Sequence, residues 1–262
     1  MKRMPFLLAL APFVFLLLLN IFGHFRLYIL PPPKITKESF ERLPVYSIDD
    51  MLKYAGANFA RDDPKITAYK IYDVVKKRFY HDSKETVYDP SADWFFWLGS
   101  KLNGAKMEIY DIPLLLRTSY SAQCGQQAQV MADACVTAGL EARVYKFIGE
   151  RFGSHVVCEV FYDGSWHMYD PDLEVFTALS AAELHLHPDV IENLYANNHG
   201  GTPLEYFFDC CASPSDDFIW SGNAGGRQPR YFMHWYKWGI PLASMLLLTV
   251  YTLFRNRKHT GG

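Results

Sequence analysis

Three residues of this 262-residue chain have types and neighbours suited to nucleophilic chemistry: Cys124, His155 and Asp170. A thiol attacks well only as the thiolate, and a helix N-terminus beside a histidine favours that form. Cys124 follows the loop Arg117-Thr-Ser-Tyr-Ser-Ala-Gln123 and opens a helix-like stretch that runs to Ala138. Gly139 ends it, as glycine commonly does one residue past a helix. Gly125 lets a substrate backbone approach, and the N–H groups of a first helical turn can hold an oxyanion. In this scheme Cys124 attacks, His155 acts as base and then acid, and Asp170 orients the imidazole. Taken singly, each has a bland reading: a buried core thiol, a structural strand histidine, and an aspartate that starts a turn before Pro171. The spacing of all three together argues for chemistry.

That spacing depends on a hairpin. His155-Val-Val-Cys-Glu-Val-Phe-Tyr162 and Ser165-Trp-His-Met-Tyr-Asp170 read as strands, joined by Asp163-Gly164, a strong two-residue turn signal. A turn there pairs Tyr162 with Ser165 and so sets Val157 opposite Asp170 and His155 opposite Asp172. Side chains alternate along a strand, so His155 and Asp170 share a face as diagonal neighbours roughly 7–8 Å apart. The nucleophile's helix is then expected to pack on that same face. Ala142 to Ile148 alternates as another strand. Upstream lie a helix opening at Ser47, one opening at Pro64, and a shorter one at Asp93-Trp-Phe-Phe-Trp-Leu-Gly99. The aromatic cluster Trp94 to Trp97 is expected to be core against the catalytic helix, or else a wall of the substrate groove. Helices first and an antiparallel sheet afterwards make an α+β domain.

Both ends of the chain are apolar. Met4 to Phe22 carries no charge and follows Lys2 and Arg3; it is long enough for a bilayer and lacks a small-residue cleavage site. Trp238 to Phe254 is a second apolar run, entered through Trp235, Tyr236 and Trp238 and left through Arg255, Arg257 and Lys258. Basic residues at both tails place both termini in the cytoplasm and the central domain in the periplasm or outside the cell, at the plasma (inner) membrane. Two spans without mid-span ionisable residues leave no wall for a pore. The expected organisation is an anchor over 1–30, a Pro-rich linker over 31–46, an enzyme domain over 47–220, a Gly-rich linker over 221–234 and a second span with a basic tail over 235–262. A net charge of −2 gives no support to nucleic-acid binding.

Four pieces in order resemble the transglutaminase-like superfamily: Gln123-Cys-Gly-Gln-Gln-Ala, Ala138-Gly-Leu-Glu-Ala-Arg143, His155-Val-Val-Cys-Glu-Val, and Asp163-Gly-Ser-Trp-His-Met-Tyr-Asp-Pro171. The resemblance departs from the family at Val157, where a tryptophan is common. It implies a papain-like α+β core, here flanked by two transmembrane helices. It also implies a Cys-His-Asp triad that acts on an amide through an acyl-thioester. The family's side-chain oxyanion donor lies upstream of the cysteine, where Gln123 and Tyr120 are the candidates. The expected partners are a peptide or other amide substrate and the bilayer. The acyl group goes to water (protease or amidase) or to an amine, with hydrolysis preferred because no second-substrate module is visible. The alternative is a catalytically silent module that binds a cell-envelope polymer or a membrane partner.

No cofactor or metal is expected. The remaining thiols with His185, His187 and His199 lack zinc-ligand spacing, and no acidic oxygen cluster suits calcium. Cys135, Cys158, Cys210 and Cys211 are even in number, and one or two disulfides from the Cys210-Cys211 pair to the core are an open possibility in an oxidising compartment.

Overall fold

The structure, a computed structural model, describes residues 4–29, 42–56, 63–81, 90–103, 111–151, 153–196, 203–211, 220–221 and 229–260. Its helices in chain order are α1 (Met4–Ile29), α2 (Ile48–Ala55), α3 (Pro64–Arg78), α4 (Pro90–Asn103), α5 (Ile112–Thr118), α6 (Cys124–Thr137), α7 (Pro188–Tyr195), α8 (Leu204–Cys211) and α9 (Pro229–Thr260). The strands are β1 (Glu141–Ile148), β2 (Ser154–Tyr162), β3 (Ser165–Asp170), β4 (Val175–Thr177) and β5 (Trp220–Ser221). They form one antiparallel sheet in the order β4-β3-β2-β1-β5. The chain divides into two compact units: 31–86 with 109–227, and 1–30 with 87–108 and 228–262.

In the first unit, local chemistry explains where the helices start. Ser47 accepts from the Asp50 N–H at 3.0 Å, and Asp63 caps α3 ahead of Pro64 at its first turn. Asp111 accepts from the Leu114 N–H at 3.0 Å at the head of α5, a short helix the sequence reading passed over. The hairpin turn forms as its residues dictate: Asp163 and Gly164 both take positive φ, 51° and 79°, as a type I′ turn requires. Tyr162 pairs with Ser165 and Cys158 with Tyr169, the expected register.

Strand parity sorts the core into two layers. One face carries Tyr145, Phe147, Val157 and Met168, packed with Tyr195 of α7 and with Phe207, Cys210 and Cys211 of α8. The other carries Cys158 and Tyr169, beside Cys135 of α6 and Tyr72 of α3. The body of α6 therefore lies on the face opposite His155 and Asp170, which corrects the expectation that it packs on theirs. The physical reason is that His155 is the second residue of β2 and Cys124 the first of α6. The two meet at an end of the strand, where alternation no longer decides which side a neighbour comes from.

Three of the motif residues turn out to be structural partners. Arg143 and Glu159 face each other across β1 and β2, with Nε to Oε2 at 2.6 Å. Glu159 is fully buried and also accepts from the Ala181 N–H at 2.7 Å. The Arg143 guanidinium lies 3.8 Å from the centre of the Trp166 ring, on the same face.

The second unit is all helical, with α1, α4 and α9 packed together. Within α4, Asp93 leaves helical geometry (φ −156°, ψ 99°) and accepts from the Phe95 N–H at 3.1 Å, so it caps the ten residues that follow. Its buried carboxylate meets Lys237 Nζ of α9 at 3.2 Å, and Phe95 packs on Tyr236. Asn20 of α1 donates to the Lys237 carbonyl at 2.6 Å. The aromatic segment Trp94 to Trp97 thus belongs with the terminal helices, which corrects its expected place in the catalytic core. Residues 87–108 accordingly leave the expected 47–220 domain, and 229–234 are helix where a linker was expected. Most of the Pro-rich and Gly-rich linkers lies outside the described residues. Among the described residues, one stretch, Trp235–Phe254, is long and apolar enough to cross a bilayer, and Leu8–Gly23 is a shorter apolar helix.

Glu159→Ala strands the Arg143 charge and orphans the Ala181 N–H. Urea unfolding is expected to show a loss of about 3–5 kcal/mol, as for breaking one side of a buried pair. Arg143→Met with Glu159→Leu, which removes both charges, should recover most of it. A loss below 1 kcal/mol for the single variant would show the pair to be unimportant to the sheet.

Candidate active site

The thiol is set in place by backbone bonds on both sides of its loop. Tyr80 donates to the Tyr120 carbonyl at 3.1 Å and accepts from the Ala122 N–H at 3.0 Å, so the segment after α3 runs alongside the segment before Cys124. Arg78, completely buried, donates to the carbonyls of Val45 (2.7 Å), Leu116 (2.8 Å) and Ser119 (2.8 Å). Its guanidinium stacks 4.1 Å from the Tyr120 ring, and burial lowers its pKa to about 10. At the head of α6, Gln126 Oε1 accepts the Gln123 N–H at 2.9 Å, half of a capping box built from glutamines. Cys124 follows, partly exposed, as the first helical residue.

His155 Nε2 donates to Asp170 Oδ2 at 2.6 Å, with the histidine 4% exposed and the aspartate fully buried. The remaining ring nitrogen, Nδ1, is left for the thiol, and the Cys124 sulfur interacts with the ring. Burial opposes a charge on this imidazole. The Asp170 carboxylate, its hydrogen bond and the Cys124 sulfur outweigh that and hold the pKa well above its ordinary value. Asp170 has two further donors, the Tyr195 hydroxyl on Oδ2 and the Leu173 N–H on Oδ1, both at 3.2 Å. The rings of Phe207 and Tyr206 stand edge-on to His155, at 5.9 and 6.3 Å between centroids. Tyr206 itself donates to the Ser154 carbonyl at 2.8 Å.

The structure therefore sets His155 against Asp170 on one side and beside Cys124 on the other. Of the two oxyanion candidates, Tyr120 is buried, with its hydroxyl 3.0 Å from the Tyr46 hydroxyl and Arg78 on its face. Gln123 stays half-buried at the helix entrance beside the thiol. The five cysteines are free thiols, so the bridges left open for Cys210 and Cys211 are not formed in this structure. Both belong instead to the apolar layer behind the site, and Cys210 Sγ approaches the Gly153 carbonyl at 3.8 Å. His185 lies in a short 3₁₀ turn with Nδ1 on the Ala182 carbonyl at 2.6 Å, His187 precedes α7, and His199 falls outside the described residues.

A second carboxylate was not anticipated. Asp172 donor contacts come from Gln127 Nε2 at 2.6 Å and from His81 Nδ1 at 2.8 Å. Gln127 also donates to the Ala122 carbonyl at 3.1 Å, tying the thiol's loop to this aspartate. Burial pushes the Asp172 pKa up against the lowering effect of the His81 bond. The hairpin register had already set His155 opposite Asp172, which was the available signal. His81, 91 residues upstream, carried none.

The raised His155 pKa has a stability consequence with a definite sign. The imidazolium is favoured in the folded state, so its contribution is complete below the ordinary value of about 6.5 and is lost as pH rises through the raised one. Asp170→Asn removes the main cause. The expected result is that the variant loses the wild type's decline in unfolding free energy on the alkaline side of neutrality. An unchanged pH profile in denaturant titrations would separate His155 from Asp170 energetically.

No family model matches the chain, and no curated protein matches it. Among solved structures, one described as a TGase is similar over 53% of this chain and 33% of that one, at 17% identity and a TM-score of 0.32. A candidate cysteine protease from Cytophaga hutchinsonii is similar over 53% of this chain and 43% of that one, at 13% identity and a TM-score of 0.29. This chain thus spans a third to less than half of the length of these two structures. What the site itself shows is a helix-borne thiol, a buried histidine beside it and a buried aspartate behind the histidine.

Proposed function

We propose that the protein is a membrane-anchored cysteine enzyme of the transglutaminase-like kind, which opens an amide through an acyl-thioester on Cys124. The observation that carries the reading is His155, bonded at Nε2 to a fully buried carboxylate, with the Cys124 sulfur within 4.8 Å of its ring. A buried imidazole whose protonated form is favoured in this way suits a base that takes the thiol proton and returns it to a leaving amine.

The steps follow from the placement. The Cys124 thiolate attacks the amide carbonyl and the oxyanion forms against N–H groups of the first turn of α6, with the Gln123 side chain as the nearest supplementary donor. The imidazolium gives its proton to the departing nitrogen, and the carbonyl carbon is left bonded to sulfur. Water or a second amine, deprotonated by the same imidazole, then releases the acyl group. Hydrolysis of a peptide or related amide is the preferred outcome, with transfer to an amine as the alternative. We place that unit on the outer side of the inner membrane, held by the helices at both ends of the chain. The apolar stretch Trp235–Phe254 and the basic residues near both termini support that placement.

A thiol-directed electrophile at limiting concentration tests the reaction class. Peptide mapping is expected to find Cys124 alkylated at least tenfold faster than Cys135, Cys158, Cys210 or Cys211. His155→Ala should remove that preference, and Asp170→Asn should slow labelling by about 10² or more, the usual scale of a lost acid–base group. Equal, slow labelling of every accessible thiol would leave a binding module as the reading.

A further inference from the structure

The acyl-transfer chemistry uses Asp170, yet the thiol and imidazole also converge on another carboxylate. Cys124 Sγ, a ring nitrogen of His155 and a carboxylate oxygen of Asp172 all lie within 4.8 Å of one another. With Nε2 committed to Asp170, the histidine atom left to this group is Nδ1. Sulfur, nitrogen and oxygen from three side chains, with a fourth position toward solvent, is a donor set that suits zinc in an open site. A thiolate with an imidazole selects zinc over magnesium or calcium, which prefer oxygen ligands throughout.

The surroundings complete the case. A zinc-bound histidine characteristically gives its other ring nitrogen to a carboxylate, and Asp170 already holds His155 that way at 2.6 Å. Asp172 is held by Gln127 and His81, at 2.6 and 2.8 Å, so its carboxylate too is oriented from behind. In a tetrahedral site with bonds of about 2.0–2.3 Å the ligand atoms stand roughly 3.5 Å apart. A group within 4.8 Å closes to that by about an ångström of side-chain rotation. Cys124 is partly exposed, which leaves an entry path.

We propose that Cys124, His155 and Asp172 bind one zinc ion, which occupies the thiolate and the imidazole together and so reversibly closes the thiol site. The assignment rests on the converging ligand atoms and stands whether or not the thiol performs acyl transfer.

The test uses the full chain in detergent, stripped with a chelator and titrated with zinc chloride against a chromophoric competitor. One equivalent is expected to bind, and cobalt(II) in its place should give a thiolate-to-metal charge-transfer absorption. Asp172→Asn is expected to weaken zinc at least tenfold, and Cys124→Ala to abolish the cobalt band, with circular dichroism showing each variant folded. Zinc should also slow alkylation of Cys124 in the wild type and lose that protection in Asp172→Asn. Failure to bind one equivalent would overturn the proposal. So would binding unchanged in both folded variants, which would place the ion elsewhere. Should either variant fail to fold, Gln127→Leu, which removes one of the two groups that orient Asp172 and leaves every ligand in place, is expected to weaken zinc severalfold, and no change there would count against the site. Because zinc affinity is read directly, its failure is distinguishable from failure of the amide-cleavage reading, which the labelling preference for Cys124 decides.

Discussion

A fully buried carboxylate, Asp170, is the constraint on which the rest of the site depends. A charge taken out of water is tolerated only where donors replace the lost hydration, and Asp170 has three: His155, Tyr195 and the Leu173 N–H. Each comes from a different piece of chain, so satisfying one carboxylate draws β2, α7 and the turn after β3 onto the end of β3. Tyr195 then stacks on Phe207 at 4.0 Å, and Phe207 walls His155. The histidine is thereby fixed on both its polar and its apolar sides.

The motif residues divide into two groups with separate physical jobs. Cys124, His155 and Asp170 meet around reactive atoms, whereas Arg143, Glu159 and Trp166 make a stacked and salt-bridged cluster further along the same strands. Glu159 accepts from Arg143 and from the Ala181 N–H, so it locks β1 to β2 and ties down the segment after β4. Residues of one sequence pattern thus divide between the thiol site and the pairing of the strands beside it. On the far side, Arg78 gathers three carbonyls and holds the loop that ends at Cys124.

What could be read before the structure was local. Asp163-Gly164 determines a turn, the turn determines a register, and the register puts His155 and Asp170 on one face. Ser47, Pro64 and Gly139 likewise announce their helix ends through their own backbone chemistry. What escaped was set by contacts between distant segments. His81 reaches Asp172 across 91 residues, and nothing in either neighbourhood encodes that meeting. The face on which α6 packs departs from the expected one because parity orders side chains along a strand and says nothing past its end. Trp94 to Trp97 looked like core, since burial in any apolar layer leaves the same imprint on a sequence.

The helical unit has a further consequence, in the order of events during synthesis. Its three helices come from 1–30, 87–108 and 228–262, with the whole site-bearing unit encoded between them. Asn20 finds its acceptor, the Lys237 carbonyl, 217 residues downstream. At about 5–20 residues per second, that acceptor emerges roughly 10–40 s after its donor. Asp93 waits for the same residue, since its partner is the Lys237 side chain. The sheet and its hairpin are translated in full during that interval, so both polar ties to Lys237 form only after the whole sheet has been made.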